Sequence, residues 1–316
     1  VVRPDAVHVV VVGGSGFLGR HICAAFQARG ARVLSLARRP APGVPSARID
    51  VIDAEPATVG DLFVEHGTTV LVNAAGAVWG YDGQALEESN VWLVERLRDA
   101  VAKVPHRVRM VQLGSVFEYA MPTPGRKLTE DAPSNPSTAY GRSKLRGSEI
   151  VLDATRAGLL DGVVLRATSC AGPGLPSSSL LGRTVAELRD AAVRGEPAVI
   201  RLAPLTAERD FVDCRDLAAA VTAAATAPVV GRTVNIGSGT AVSVRRLVDL
   251  LVSASGVPAT IVEDDTSTGR SAGVGWLAVD TGLAERLLGW RPRHGLASTV
   301  RAMWSEATIN VEEGSD

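Results

Sequence analysis

The chain has 316 residues, 46% hydrophobic and 21% charged, with a net charge of −1. That is enough for one large or two medium domains, and the charge balance argues against nucleic-acid binding and against an anionic membrane partner. Cys23, Cys170 and Cys214 lie far apart, and His8, His21, His66, His106 and His294 lack metal-ligand spacing. A disulfide framework and a metal site are therefore disfavoured, and a reducing, cytoplasmic setting is expected.

Arg3-Pro4-Asp5 precedes the run Val7-His8-Val9-Val10-Val11-Val12. The run is too short to cross a bilayer and lacks the charged start and cleavage site of a signal peptide. It predicts a buried strand. A helix over 16–29, a strand over 32–37, a helix over 57–66 and a strand over 69–73 follow. Next come a helix over 86–103 and a strand over 108–113. Strands alternating with helices predict an α/β fold: a Rossmann-type doubly wound parallel sheet covered on both faces. A longer helix over about 138–155 leads to a strand over 163–166.

Gly172-Pro173-Gly174-Leu175-Pro176 then interrupts the pattern. Beyond it the sequence predicts a helix at about 180–194, a strand over 198–202 and a helix at about 214–226. A strand over 233–236 and a helix over 244–255 complete the reading. The expected division is a dinucleotide domain of residues 1–167, rejoined at about 206–236, and a smaller C-terminal α/β lobe of 168–205 and 237–316.

The first strand runs straight into Gly13-Gly14-Ser15-Gly16-Phe17-Leu18-Gly19. Glycines spaced GxxGxxG between a strand and a helix allow a tight turn, so that helix amides face a pyrophosphate. The second strand ends in Ser35-Leu36-Ala37-Arg38-Arg39 without the carboxylate that would bind a ribose 2′-hydroxyl. A guanidinium there suits a 2′-phosphate, so NADP(H) is expected, held by Arg38 and Arg39 with Ser35 as a further candidate. The alternative is a pair of solvated loop arginines.

Tyr140 and Lys144 stand four apart on the helix over 138–155, so phenol and ammonium share one face. Lys103, Lys127 and Lys144 are the only lysines among 33 basic residues. A nearby ammonium lowers a tyrosine's pKa and equips it to exchange a proton with a substrate oxygen.

Together these motifs resemble the extended short-chain dehydrogenase/reductases, in the NAD(P)-dependent epimerase/dehydratase branch that acts on nucleotide sugars. The resemblance covers nearly the whole chain. Gly13–Gly19 is similar to that family's glycine turn, Asp50-Val51 to its adenine-contacting pair, and Asn73-Ala74-Ala75-Gly76 to its cofactor-supporting segment. Asn90 is similar to the family's buried helical asparagine. Leu113-Gly114-Ser115 resembles the strand end that carries its catalytic serine, twenty-five residues before the tyrosine. Arg209-Asp210-Phe211-Val212-Asp213, Asn235-Ile236-Gly237-Ser238-Gly239 and Leu288-Gly289-Trp290-Arg291-Pro292 are similar to its later signatures.

The resemblance implies that Ser115 hydrogen-bonds the substrate oxygen, Tyr140 transfers the proton, and Lys144 tunes the tyrosine and holds the nicotinamide ribose. It places Val116, Phe117, Ser169, Arg209 and Arg270 toward the substrate. Dehydratases of the branch carry an Asp-Glu pair just after the catalytic hydroxyl, where this chain has Val116 and Phe117, which cannot do acid/base work. Glu118, one residue further on in a continuing strand, would face the other way. The expected reaction is NADPH-dependent reduction of a keto group on a nucleotide-linked deoxysugar, above all the 4-keto group of a dTDP-4-keto-6-deoxyhexose. A nucleotide-sugar 4-epimerase, a reductase of another carbonyl compound and a non-catalytic NADP-binding protein are the alternatives. The resemblance also implies a homodimer packed through the helices at about 86–103 and 138–155.

Overall fold

The computed structural model describes residues 7–76, 83–264 and 275–312. The first half runs β1 (His8–Val12), α1 (Phe17–Gln27), β2 (Arg32–Ala37), β3 (Ser46–Arg48), α2 (Pro56–His66) and β4 (Val70–Asn73). It continues through α3 (Gly83–Glu87), α4 (Leu93–Val101), β5 (Arg109–Ser115), α5 (Ala139–Arg156), β6 (Asp161–Ala167) and β7 (Ser169–Ala171). The second half runs α6 (Leu180–Arg194), β8 (Ala198–Leu202), β9 (Glu208–Asp213), α7 (Cys214–Thr226), β10 (Arg232–Ile236) and β11 (Ala241–Ser243). Last come α8 (Val244–Ser255), β12 (Ala259–Glu263), β13 (Trp276–Leu277), α9 (Gly282–Leu288) and α10 (Leu296–Glu312).

Seven strands form one parallel sheet in the order β3-β2-β1-β4-β5-β6-β10. β1 lies in its interior, which explains its unbroken valines. Val9 and Val11 pack with Ile22 and Phe26 of α1 and with Leu217 and Val221 of α7. Val10 and Val12 face the opposite layer, with Phe63 of α2, Leu97 of α4 and Val151 of α5. Each such side chain, fully withdrawn from water, contributes roughly 1.5–3 kcal/mol. The strand order reverses between β1 and β4, and ligand crevices of doubly wound sheets lie at that switch point, beyond the carboxyl ends of the strands.

The remaining strands are short. β9 pairs with β7, β11 and β13, while β8 pairs with β12. α6, β8, α8 and α10 enclose a separate apolar cluster around Leu188, Ile200, Leu247 and Met303. The stretch expected as one helix over 86–103 is broken: a π-helical turn, Glu88–Trp92, separates α3 from α4. One extra residue in that turn sets Asn90 against α5, whose Gly147 has no Cβ to strike the Asn90 carbonyl. β9 and its small-sheet partners were not expected from the sequence, because runs of two to six residues carry little periodicity.

The late motifs serve as anchors. The Asp210 carboxylate accepts hydrogen bonds from the Ser238 amide at 2.7 Å, the Ser238 hydroxyl at 2.7 Å and the Gly239 amide at 2.9 Å. The Asp216 carboxylate accepts the Arg293 and His294 amides, and its carbonyl accepts the Trp290 indole N–H at 2.9 Å. Asp213 caps α7 through the Arg215 amide, pairs with the Arg215 guanidinium and accepts the Thr299 hydroxyl. Burial opposes ionisation of Asp213, but these partners outweigh it and hold its pKa below the ordinary carboxylate value. A depressed native pKa gives stability that is complete above the ordinary carboxylate range and drains away as pH falls through the native value. Asp213→Ala is expected to cost about 1–3 kcal/mol near neutrality and less in acid. Thermal melts over an acid series check this, and parallel wild-type and variant curves would contradict it.

Candidate active site

β5 ends at Ser115, and there the strand stops. Val116–Glu118 form a 3₁₀ turn, with Ser115 as its cap. The Ser115 hydroxyl oxygen accepts the Phe117 amide at 3.3 Å, and the Glu118 carboxylate accepts the Ser115 amide at 2.7 Å. This reciprocal arrangement is a capping box. The orientation that a continuing strand would give Glu118, away from the site, therefore does not apply. The turn folds its fully buried carboxylate back beneath Ser115.

α5 starts at Ala139, where the Thr138 hydroxyl accepts the Gly141 amide at 3.0 Å. A Cβ on Gly141 would collide with the Phe117 carbonyl, so the helix start lies hard against the 3₁₀ turn. Tyr140, Lys144 and Ser148 recur every fourth residue on the face toward β5. The Tyr140 phenol is hydrogen-bonded to Ser115. The Lys144 Nζ donates to the Leu113 carbonyl at 2.6 Å, and the Ser148 hydroxyl donates to Glu118 at 3.0 Å. Asn90 donates to the Ser143 hydroxyl at 3.0 Å, and Ser143 donates to the Tyr140 carbonyl at 2.9 Å. Asn90 thus supports the start of α5 from the π-helical turn.

The electrostatics differ from the sequence expectation. Burial pushes the Tyr140 phenol up to about 12; the Ser115 hydrogen bond opposes the rise and the Glu118 charge adds to it. Burial also lowers the Lys144 pKa, against which the Glu118 charge acts to raise it. Lys144 is directed to a backbone carbonyl and is matched by Glu118, so it does not bring the phenol toward neutrality in this structure. At neutral pH Tyr140 is a phenol, ready to donate.

The glycine turn lies at the switch point. Gly13 has a φ of 78°, and a Cβ there would lie 2.9 Å from the Ala75 backbone. Gly16 caps α1 without a side chain, and the helix has no acidic residue in its first turn. Its first amides are free to face an anion, flanked by the half-buried Ser15, Phe17 and Leu18. After β4, the Asn73 side chain accepts the Ala75 amide at 3.2 Å and donates to Gln112 at 2.9 Å, which shapes Ala74-Ala75-Gly76. A Cβ on Gly76 would lie 2.6 Å from Asn90 Oδ1 and 3.8 Å from Lys144 Nζ. These residues fit a dinucleotide laid from the turn toward Lys144.

Arg38 follows β2 with its side chain 83% exposed and its Nε 4.0 Å from Asp50. Arg39 is also exposed. Asp50 accepts the Ile52 amide at 3.1 Å, while Val51 is buried. Ser35 is a correction: it is fully buried, and a Cβ on Gly14 would lie 2.8 Å from its Cβ. It supports the underside of the glycine turn and cannot reach a phosphate at the end of β2.

Toward the substrate, Val116 is buried and Phe117 meets Tyr140 edge-on, their ring centroids 6.2 Å apart. A small cleft beside them is bordered by Met121, Ser137, Thr138 and Leu277. Ser169 pairs with Phe211 across β7 and β9, so Arg209, two residues earlier on β9, shares its face. Arg209 is only 4% exposed and donates to the Glu208 carbonyl at 3.0 Å. Arg270 lies outside the described residues.

Sequence reasoning missed Glu118 as a supporting group, and it missed Arg166 altogether. Two signals were available. Ser115-x-x-Glu118 is the capping-box spacing, and an arginine inside the apolar strand over 163–166 requires a buried partner.

The model of the NAD dependent epimerase/dehydratase family matches residues 9–237. A dTDP-6-deoxy-L-talose 4-dehydrogenase (NAD(P)(+)) from Kitasatospora kifunensis is 42% identical over 301 residues, covering 94% of each chain. A GDP-6-deoxy-D-mannose reductase from Pseudomonas aeruginosa is 23% identical over 96% of this chain and 98% of its own. MoeE5 in complex with UDP-glucose and NAD superposes with a TM-score of 0.83 at 24% identity, over 96% of this chain and 99% of its own. RMD from Pseudomonas aeruginosa complexed with NADPH gives 0.81 at 21% identity, over 96% and 100%. The two solved structures support the same fold.

Proposed function

The chain belongs to the NAD dependent epimerase/dehydratase family, and we propose that within it the protein is an NADPH-dependent 4-ketoreductase of a dTDP-4-keto-6-deoxyhexose. The observation that carries this reading is the Tyr140 phenol hydrogen-bonded to Ser115, with no carboxylate at positions 116 and 117, where Val116 and Phe117 stand. The 42% identical relative is named for oxidation at C4 of a dTDP-6-deoxysugar. The same catalyst, run backward, reduces the C4 ketone.

The nicotinamide supplies the hydride. Ser115 donates its hydroxyl hydrogen to the keto oxygen, aligning it with Tyr140 and stabilising the charge that develops there. Tyr140 gives its phenolic proton to that oxygen as the carbonyl becomes an alcohol. Lys144 ties α5 to β5 and Asn90 ties it to the π-helical turn, and Lys144 is proposed to meet the nicotinamide ribose. Val116 and Phe117 give the sugar an apolar wall without a base able to remove a further proton, which sets reduction apart from dehydration. Arg209, Ser169 and Arg270 are proposed for the nucleotide diphosphate end.

The test is turnover of dTDP-4-keto-6-deoxyhexoses with NADPH, followed by cofactor oxidation and product analysis. No oxidation across the panel overturns the reading. Release of tightly bound NAD from the purified protein, with interconversion of C4 epimers, would favour the epimerase instead. Arg38 and Arg39 are proposed to hold the 2′-phosphate, since exposed guanidiniums lose little solvation in pairing with it. Arg38→Ala is expected to raise the KM for NADPH ~10-fold while leaving the KM for NADH unchanged. Equal effects on both cofactors would remove Arg38 from that role.

A further inference from the structure

Behind the reacting pair lies a carboxylate that the reaction above does not use. Glu118 is completely buried, and both its oxygens are engaged. One accepts the Ser115 amide at 2.7 Å and the Ser148 hydroxyl at 3.0 Å; the other accepts the Arg166 Nε at 2.7 Å. Arg166 is itself buried, stacked 4.2 Å from the Tyr119 ring centroid and donating to Ser134 at 3.0 Å. A Cβ on Gly114 would lie 2.6 Å from the carboxylate, so β5 leaves room for it. The carboxylate thereby ties β5, α5 and β6 together directly under Ser115.

A buried ion pair is a poor way to gain stability, since an apolar pair of similar volume does as well or better. Its value here lies in where it sits. The charged and titratable groups facing Glu118 are Arg166 from β6, Lys144 and Tyr140 from α5, and Tyr119 from the following residue. Two cations share one carboxylate, and the catalytic phenol lies within its field.

On the reductase reading, we propose that Glu118 is a positioning residue for proton transfer: it holds Ser115 in register with Tyr140, and its negative charge beneath the pair disfavours a phenolate. Without that charge the phenolate, which cannot donate, is less disfavoured. The direction of the Tyr140 shift agrees, since the Glu118 charge raises it.

The test replaces both members of the pair, Glu118→Val with Arg166→Leu, so that Arg166 is not left buried and unpaired, while Lys144 keeps its bond to the Leu113 carbonyl. Circular dichroism and NADPH titration establish that the double variant is folded and binds cofactor. The expected result is a kcat reduced ~10- to 100-fold at little changed KM, with the basic limb of the kcat–pH profile moved to lower pH. A folded double variant with wild-type kcat and pH profile overturns the proposal. Glu118→Gln is the second variant: it keeps an acceptor for the Ser115 amide and removes the charge. It should retain more kcat than the double variant yet show the same shift of the basic limb; an unmoved limb overturns the electrostatic half. Should neither variant fold, the wild-type profile decides, because the proposal requires reduction to hold its rate well above neutrality, and a basic limb near neutral pH sinks it. The wild type and Tyr140→Phe separate the two readings. If the wild type turns over no ketosugar with NADPH, the reductase assignment fails; if it does, and Tyr140→Phe is inactive while the double variant behaves as wild type, only the role of Glu118 fails.

Discussion

Tyr140→Phe is expected to abolish reduction of the ketosugar while leaving the protein folded and its NADPH affinity unchanged. Phenylalanine keeps the ring and its edge-on contact with Phe117. It removes the hydroxyl that bonds to Ser115 and carries the proton. A positioned general acid contributes typically 10²–10⁴-fold, so kcat should fall by about that factor. The fold should hold, because the lost hydrogen bond has a net worth of roughly 1 kcal/mol and Ser115 keeps its bond to the Phe117 amide. Single-turnover measurements with preloaded NADPH check this. Retention of more than a tenth of the rate would mean that another group delivers the proton. Neither Val116 nor Phe117 can do so, and the Glu118 carboxylate is committed to Ser115, Ser148 and Arg166.

Most of the candidate site's layout was legible because its signals are local. A valine run ending in GxxGxxG can form few structures other than β1, its turn and α1. Tyr140 and Lys144 needed only helical spacing to be set on one face. What stayed hidden was non-local or depended on a single residue of register. The apolar positions Leu86, Val91, Leu93, Val94 and Leu97 fit one uninterrupted helix, and nothing in that pattern reveals the extra residue that turns Asn90 toward Ser143. Ser35 has the same parity along β2 as the buried Val33, so alternation alone would have placed it inside. Its hydroxyl made it look like a phosphate ligand.

Glu118 is the largest loss, because its side chain faces away only in a continuing strand, and a 3₁₀ turn begins there instead. That one change of conformation sets a carboxylate beneath Ser115, where its charge adds to the rise in the Tyr140 pKa that burial sets. The pairing of Tyr140 with Lys144 could be read from spacing; its electrostatic balance could not, since the balancing groups come from β5's end and from β6.

Gly19→Ala tests the cofactor site by a different physical route. Gly19 is the last glycine of GxxGxxG and lies in the first turn of α1, where alanine is the better helix former. Propensity alone therefore predicts a small gain in stability. The packing predicts the opposite. A Cβ at residue 19 would collide with the Gly13 carbonyl oxygen and lie 2.7 Å from both the Gly13 carbonyl carbon and the Gly14 Cα. These are backbone atoms, so no side chain can swing aside, and the turn must open or the helix must retreat from β1. Overpacking of this kind costs about 1–3 kcal/mol, which outweighs the propensity gain of up to ~1 kcal/mol. The Gly16 amide bond to the Gly13 carbonyl, 2.9 Å long, is the first casualty. With it goes the alignment of the first amides of α1 toward the pyrophosphate. Hydrogen bonds to a charged group are worth about 1.5–3 kcal/mol each, so loss of even one should weaken NADPH binding ~10-fold or more. Calorimetric titration with NADPH and a thermal melt read the two effects separately. A variant as stable as the parent, with undiminished cofactor affinity, would show that the turn has slack which the close approach of α1 to Gly13 denies it.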